Sequence, residues 1–334
     1  MIAEAREQVA RTVNYGLTLL YWHVGARIRR DLLKEKRGEY GEKIVQAVAA
    51  QLTAEFGRGW SRRNLFQMIR FAEVFPDLQA VQAAPAPLSW THWVEIIRLE
   101  DPLKREFYTE MCRIERWSTR TLEKKISGML FERTALSKKP AKLAEQELKA
   151  LRAENRLTPD LVFRDPYFLD FLGLKDTYAE KDLEAAILRE MESFLLELGV
   201  GFAFLERQKR LTVDGVDHYL DLLFYHRNLR RLVAVELKLG DFKPGDKGQM
   251  EFYLGWLNRY ERKESEEAPI GLILCAAADA EQVELLQLDA KSIRVSEYLT
   301  ALPPLPMLRE RLHQAMEHAR EQAARRLPDA EGRS

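Results

Sequence analysis

Two short apolar runs, each carrying charge where a buried strand should have none, constrain this chain more than anything else in it. They are Tyr219-Leu-Asp-Leu-Leu-Phe-Tyr225 and Leu232-Val-Ala-Val-Glu-Leu-Lys238, joined by His-Arg-Asn-Leu-Arg-Arg. That density of Val, Leu and Phe marks strands covered on both faces. An ionised side chain inside such a strand is costly unless it has a partner. The connection is too short for a crossover, so the runs pair as an antiparallel hairpin. With the turn centred between Asn228 and Leu229, Asp221 stands opposite Glu236, their β-carbons about 5 Å apart. A slip of one residue would break that pairing. Period two puts Glu236 and Lys238 on one face, with Val233, Val235 and Leu237 on the other. Two carboxylates this close repel unless a proton or cation lies between them. Paired hard oxygens suit Mg²⁺.

The surroundings of the hairpin read as one mixed domain. A helix over 182–198 precedes it, then runs at 201–206 and 208–213 rich in strand formers. After it come a helix over 246–262, a strand at 270–275, a helix at 279–288, a strand at 293–298 and a last helix over 305–326. Hairpin strands followed by αβ crossovers predict an α/β core with a mixed sheet. Glu184 lies on the side of helix 182–198 that carries Ile187, Leu188, Met191, Phe194, Leu195 and Leu198. It is either a ligand facing the paired acids or a solvated first-turn acid that favours the helix dipole. Gln249 and Tyr253, four apart, face one way from the following helix and are placed to touch a phosphate or a bound water.

The first half has a different texture. Apolar positions at helical spacing (Val9, Val13, Leu17, Leu20, Val24, Ile28) predict a helix over 3–35. Further helices are predicted over 41–56 and 62–74, and near Trp90, Pro102 and Ser118. A Pro/Ala-rich loop follows Pro76. Trp60-Ser61 and Trp117-Ser118 each place a capping serine at a helix start. At 334 residues the chain has room for two domains. These are a helical domain over 1–136, with a polar helical linker over 137–160 and a mixed domain over 161–327. A flexible tail, 328–334, ends the chain. The fold class is α+β overall.

Composition excludes several classes. Two cysteines, Cys112 and Cys275, cannot make a disulfide scaffold or a cysteine-rich zinc site. The uncharged stretch 268–278 is 11 residues long, where a spanning helix needs about 20. The opening MIAEAREQVAR has no apolar signal core, so a cytoplasmic location is expected. No Gly-rich phosphate loop is present. The net charge of zero hides a split: residues 1–134 hold 22 Lys/Arg against 17 Asp/Glu, which is either a weak signal of polyanion binding in that half or ordinary surface scatter. Residues 56–70, FGRGWSRRNLFQMIR, hold four arginines and no acid. Arg62, Arg63 and Asn64 sit at a helix start, where phosphates and base edges are contacted. In the other half Arg207, Lys209, Arg210, Arg230, Arg231, Lys243 and Lys247 flank the acids and are candidate backbone contacts. His218 and His226, at the ends of the Asp221 strand, read as half-exposed strand-end residues.

Asp221 followed by Glu236-Leu237-Lys238 resembles the PD-(D/E)XK nuclease signature. Residues 182–258 are similar to the C-terminal nuclease domain of the YhcG-like family. Residues 10–134, with GWSRRNLFQMIRFAEVFPD, LSWTHWVEIIRL and REFYTEMCRIERWSTRTLEKKI, resemble the helical N-terminal domain of that family. The resemblance implies a restriction-endonuclease-like core behind a winged-helix-like, DNA-binding module. It implies that Asp221, Glu236 and the carbonyl of Leu237 hold Mg²⁺, for which Mn²⁺ can substitute. It implies that Lys238 orients the attacking water, that Glu184 is the acid of the first core helix, and that Gln249 is the glutamine of the helix after the E-x-K strand. Leu220 stands where the signature often has proline. The function implied is a metal-dependent endonuclease acting on DNA, in defence against foreign DNA; cutting two strands with one site per chain then calls for a homodimer or higher homo-oligomer. The alternative is a non-catalytic DNA-binding or oligomeric interaction protein that keeps the fold.

Overall fold

The computed structural model describes residues 1–33, 39–82, 88–174, 178–286, 288 and 292–326. The chain forms two compact units, Met1–Gly128 and Met129–Ser334. The tail from 327 onward and residues 83–87 of the Pro/Ala-rich loop lie outside the described residues.

The first unit holds α1 (Ile2–Arg27), which runs into a π-helical turn at Ile28–Leu33. It continues with α2 (Glu39–Phe56), α3 (Arg62–Val74), α4 (Leu78–Gln82), α5 (Trp90–Ile96), α6 (Pro102–Glu115) and α7 (Thr119–Ser127). Its described residues include no strand, so the helical expectation holds and no strand pair that could serve as a wing is among them. Residues 78–82, expected in a loop, form α4. Both predicted serine caps are made. Ser61 Oγ accepts from the Asn64 N–H at 3.3 Å, and Ser118 Oγ from the Thr121 N–H at 3.2 Å. The core joins Val45, Ala49, Leu65, Met68 and Ile69. Gly25 lets α1 lie directly on α3: a β-carbon there would stand 1.9 Å from the Met68 carbonyl oxygen.

The second unit holds α8 (Ala141–Glu154), α9 (Pro159–Val162), β1 (Tyr167–Phe168), α10 (Glu180–Arg189), α11 (Met191–Leu198), β2 (Phe202–Val213), β3 (Val216–His226), β4 (Arg231–Leu237), α12 (Pro244–Tyr260), β5 (Ile270–Cys275), α13 (Ala280–Leu285), β6 (Ile293–Leu299) and α14 (Leu305–Arg326). The sheet order is β1-β6-β5-β4-β3-β2. β2, β3 and β4 are antiparallel neighbours, while β4, β5, β6 and β1 run parallel. This is the mixed sheet expected. β5, Ile-Gly-Leu-Ile-Leu-Cys, is buried along its whole length, as a central parallel strand covered on both faces must be. On one face Met250, Tyr253, Leu254 and Leu257 of α12 pack on Leu232, Ala234 and Ile273. On the other, the Phe194 ring of α11 lies 6.1 Å from that of Phe224.

Three differences from the expected elements have local causes. The helix over 182–198 is two helices that meet at Glu190. The runs at 201–206 and 208–213 are one strand, β2, with a register shift between Phe204 and Glu206. The segment 137–160, read as a linker, lies in the second unit. There α8 buries Ala144, Leu148 and Leu151, and Lys139 binds Glu147 at 2.5 Å and also Asp160, which pairs with Arg294 of β6. Its charge is the outer face of an amphipathic helix, and three apolar positions at helical spacing are enough to dock it. Among the described residues no helix is long and apolar enough to cross a membrane.

Candidate active site

The β3–β4 hairpin has the register expected from its turn, with Leu222 opposite Val235 and Leu223 opposite Ala234. The ladder ends at Leu222–Val235. One step further, Asp221 Oδ2 accepts from the Leu237 N–H at 2.9 Å. A side-chain oxygen has replaced a ladder carbonyl, which fixes this carboxylate against the end of β4. Glu236 follows on β4 with its side chain only 6% exposed. Its Oε1 accepts from Lys238 Nζ at 3.1 Å and from Gln249 Nε2 at 3.1 Å. Lys238 Nζ also donates to Gln249 Oε1 at 3.2 Å. Gln249 Nε2 further donates to the Tyr253 hydroxyl at 2.7 Å, and that hydroxyl donates to the Tyr219 carbonyl at 3.0 Å. The four-residue spacing on α12 thus delivers both side chains to one point beneath the sheet. Glu236 Oε2 is buried and has no hydrogen-bond partner among the described residues.

The electrostatics follow from this burial. Loss of water, then the nearby Asp221 carboxylate, pushes the Glu236 carboxyl up to about 7, although the Lys238 ammonium pulls the other way. Burial also raises Asp221, opposed by the Leu237 N–H. Burial pulls the Lys238 ammonium down, but Glu236 outweighs it, so Lys238 is held above its ordinary value and stays a cation. The site therefore presents two strained carboxylates beside a fixed positive charge.

A second set of groups adjoins Asp221. A cavity of about 370 Å³ is lined by Glu180, Lys181, Glu184, Arg207, Gln208, Asp221 and Leu237. Glu184 of α10 therefore faces the acids, with its side chain 12% exposed and Arg207 Nε 3.5 Å from Oε1. Glu180 Oε1 accepts from the Leu239 N–H at 3.3 Å. Gln208 sits on β2 between the pairs Arg207–Leu222 and Lys209–Leu220, across from Asp221. Its Nε2 donates to Glu184 Oε2 at 2.9 Å and to Asp221 Oδ1 at 3.0 Å. Gln208 and Glu180 are absent from the residues picked out by sequence. A signal for Gln208 was there: Asp214-Gly215 is a two-residue hairpin turn with φ of 48° and 80°, and its register sets Gln208 against Asp221.

The nucleic-acid candidates are placed as follows. Arg62 is exposed, pairs with Glu42 at 2.7 Å and lies 5.5 Å over the Phe66 ring. Arg63 is exposed at the start of α3. Asn64 is held at both ends, donating to the Gly59 carbonyl at 2.6 Å and accepting from Trp90 Nε1 at 2.7 Å. Lys209 is held by Glu206 at 3.0 Å and Glu261 at 2.9 Å. Tyr253 is buried, 3% exposed, and its hydroxyl is engaged inside the network rather than presented to solvent. The His218 ring meets that of Phe252 edge to face at 4.7 Å. His226, expected half-exposed, is fully buried, accepts from the Leu229 N–H at 3.0 Å, and is pulled down to about 4 by burial. It is a neutral residue of the turn.

The donor set fits a divalent cation. Glu236 Oε2 is a buried acceptor without a donor among the described residues, and a carboxylate oxygen in that condition calls for a proton, a water or a cation. Among the described residues no group of three or more His, Cys, Asp or Glu side chains is arranged to hold a metal alone. The Asp221 and Glu236 carboxylates are the hard oxygen donors at hand, beside the end of β4. Such a partial oxygen set suits a hard divalent cation that keeps waters in its shell.

The family model for the YhcG PDDEXK nuclease domain matches residues 160–313, and that for the DUF1016 N-terminal domain matches residues 1–133. The nuclease-family protein YhcG of Escherichia coli (strain K12) is 32% identical over 343 aligned positions, covering 93% of this chain and 91% of that protein. The chain belongs to the YhcG family of PDDEXK nucleases. The matched nuclease range contains the whole β3–β4 hairpin, with Asp221, Glu236 and Lys238. A repair endonuclease from Pyrococcus abyssi aligns at 20% identity with a TM-score of 0.25, covering 39% of this chain and 50% of that one. EndoMS in its apo form aligns at 18% identity with a TM-score of 0.26, covering 42% of this chain and 50% of that one.

Proposed function

We propose that this nuclease is a divalent-cation-dependent endonuclease that hydrolyses phosphodiester bonds in DNA. The observation that carries the reading is the buried Oε2 of Glu236, without a partner among the described residues, on a carboxylate whose other oxygen bonds the Lys238 ammonium and which feels the nearby Asp221 charge. That is an arrangement for holding a cation and a phosphate, and it does little for the fold, since buried charge clusters are poor stabilisers. Mg²⁺, with Mn²⁺ as a substitute, would be held by Asp221, Glu236 and the Leu237 carbonyl. When bound, it would supply Lewis acidity at the phosphoryl oxygen and positive charge for the pentacoordinate transition state.

The protein's own groups do the rest. Lys238 stays protonated, so it acts as a point charge and hydrogen-bond donor beside the attacking water, not as the group that takes its proton. Gln249 fixes Lys238 and Glu236 against each other. Tyr253 fixes Gln249 through the Tyr219 carbonyl, so its part is positioning. Glu184 faces Asp221 and adds to the negative field that attracts a cation. Hydrolysis adds the water oxygen to phosphorus and breaks the bond to the leaving oxygen, which gains a proton. The helical unit, residues 1–136 in the division proposed from sequence, is the DNA-binding part, with Arg62 and Arg63 on phosphates and Asn64 shaping the start of α3. Arg207 lines the cavity and Lys209 follows two residues on along β2; both are assigned to the backbone of the approaching DNA. Defence against foreign DNA, a homo-oligomer that cuts both strands and a cytoplasmic setting complete the proposal. The two buried free thiols, Cys112 and Cys275, support that setting.

The test is cleavage of linear, supercoiled, branched and single-stranded DNA, with an RNA control, in Mg²⁺, Mn²⁺ or EDTA. Cutting that needs the cation and drops at least 10²-fold in both Asp221→Ala and Lys238→Ala is the expected result. Binding without cutting on every substrate would move the protein to a DNA-binding role.

A further inference from the structure

Gln208 occupies a position that the nuclease reading leaves unexplained. Its side-chain nitrogen lies within hydrogen-bond distance of two carboxylates from different elements, Glu184 of α10 at 2.9 Å and Asp221 of β3 at 3.0 Å. A carboxylate only accepts, so the amide must turn its NH₂ end to both. One neutral group with two N–H bonds therefore stands where two negative charges converge. The backbone is built for this: Gln208 has φ of 45° inside a strand, a left-handed conformation that non-glycine residues seldom adopt. The Leu205 bulge and the Asp214-Gly215 turn set its register against Asp221. The second oxygen of Glu184 is buried without a hydrogen bond among the described residues, its partner being the longer ion pair to Arg207 Nε at 3.5 Å.

We propose that Gln208 is a placeholder for the cation: it bridges Glu184 and Asp221 in the cation-free protein and must give way when a divalent cation binds there. This rests on the reading of Asp221 as a cation ligand. The amide keeps the two acids together without a cation, and its displacement opposes cation binding. Gln208 is thus a positioning residue that sets how much cation the site needs. The amide oxygen, unlike the NH₂, is a metal ligand, so the rival reading is that Gln208 rotates and binds the cation itself. The two readings predict opposite signs.

The experiment is direct titration of the full-length protein with Mn²⁺ and with Mg²⁺, by calorimetry and by the cation-induced rise in melting temperature. The variants are Gln208→Asn, Gln208→Gly and Asp221→Asn. Asparagine and glycine both accept the left-handed backbone, and neither spans the two acids. The placeholder reading expects both Gln208 variants to bind cation more tightly, by about ten-fold, and to melt lower than the parent in EDTA. Unchanged or weaker binding in the Gln208 variants, with Asp221→Asn still abolishing it, overturns the placeholder and leaves the cation site standing. A parent protein that binds no cation, or an Asp221→Asn variant that binds it unchanged, overturns the placeholder together with the assignment of the site.

Discussion

Replacing Glu236 with glutamine isolates what it costs to keep a carboxylate buried beside Asp221. The amide has the same shape, and its oxygen still accepts from Lys238 and Gln249. In the folded protein the carboxyl sits at about 7 against 4.5 for a free glutamate. That difference corresponds to roughly 3 kcal/mol at pH 8. Lys238 loses an ion pair in the variant, but its side chain is 20% exposed and water recovers part of that loss. The net gain should be about 1–3 kcal/mol, or a melting temperature about 3–10 °C higher for a unit of this size. The sign with pH follows from a folded value raised above the unfolded one. The stability that the protonated carboxyl contributes is complete below 4.5 and is lost as pH rises to 7. Parent and variant should therefore melt together at pH 4 and separate steadily up to pH 8, both in EDTA. Thermal melts monitored by circular dichroism across that range are the assay. A variant that melts lower than the parent at pH 8, or a gap that does not change with pH, would refute the strained carboxylate. Lys238 would then be compensating Glu236 fully, and the case for a cation would weaken.

Gly25→Ala should loosen the first unit by about 2 kcal/mol or more, because a β-carbon 1.9 Å from the Met68 oxygen forces two helix backbones apart; chemical denaturation measures it, and an unchanged midpoint refutes the close approach. Glu197→Ala should cost about 3–5 kcal/mol in the second unit, since it strands Arg133 and Arg164, each 4% exposed, without their shared carboxylate. Arg62→Ala with Arg63→Ala should weaken DNA binding and lower the dependence of log K on log salt by about 0.9 for each phosphate left without its arginine. A slope identical to the parent's would place the DNA elsewhere.

The site was legible in the sequence to different depths. Asp221, Glu236 and Lys238 were visible because charge inside an apolar run has few explanations and a short turn fixes the hairpin register. Gln249 and Tyr253 were visible as a pair with helical spacing, although their engagement with Glu236 and Tyr219 was not. Tyr253 shows the limit: its spacing from Gln249 placed it to touch a phosphate or a bound water, and only the packing of α12 on the sheet makes its hydroxyl a buried strut. Asn64 shows the same limit, since Gly59 and Trp90 claim both ends of an amide that looked free to meet a base. The charged segment 137–160 looked like a linker because its three docking residues are few among many lysines and glutamates.

Local chemistry, then, is what the sequence determined by itself. It set the strand and helix periods, the serine caps, the hairpin turns, and the unavoidable conflict of two acids in buried strands. Tertiary structure decided which polar atoms find partners. Glu184 and Asp221 come from elements 37 residues apart, and the bridge between them exists only because α10 packs beside the splayed end of β3. Hydrogen bonds reach about 3 Å, while sequence periodicity fixes a side chain's face and not its neighbour across a layer. The partnerless oxygen of Glu236 is of the same kind, because burial without a donor is a property of the assembled layers around β4.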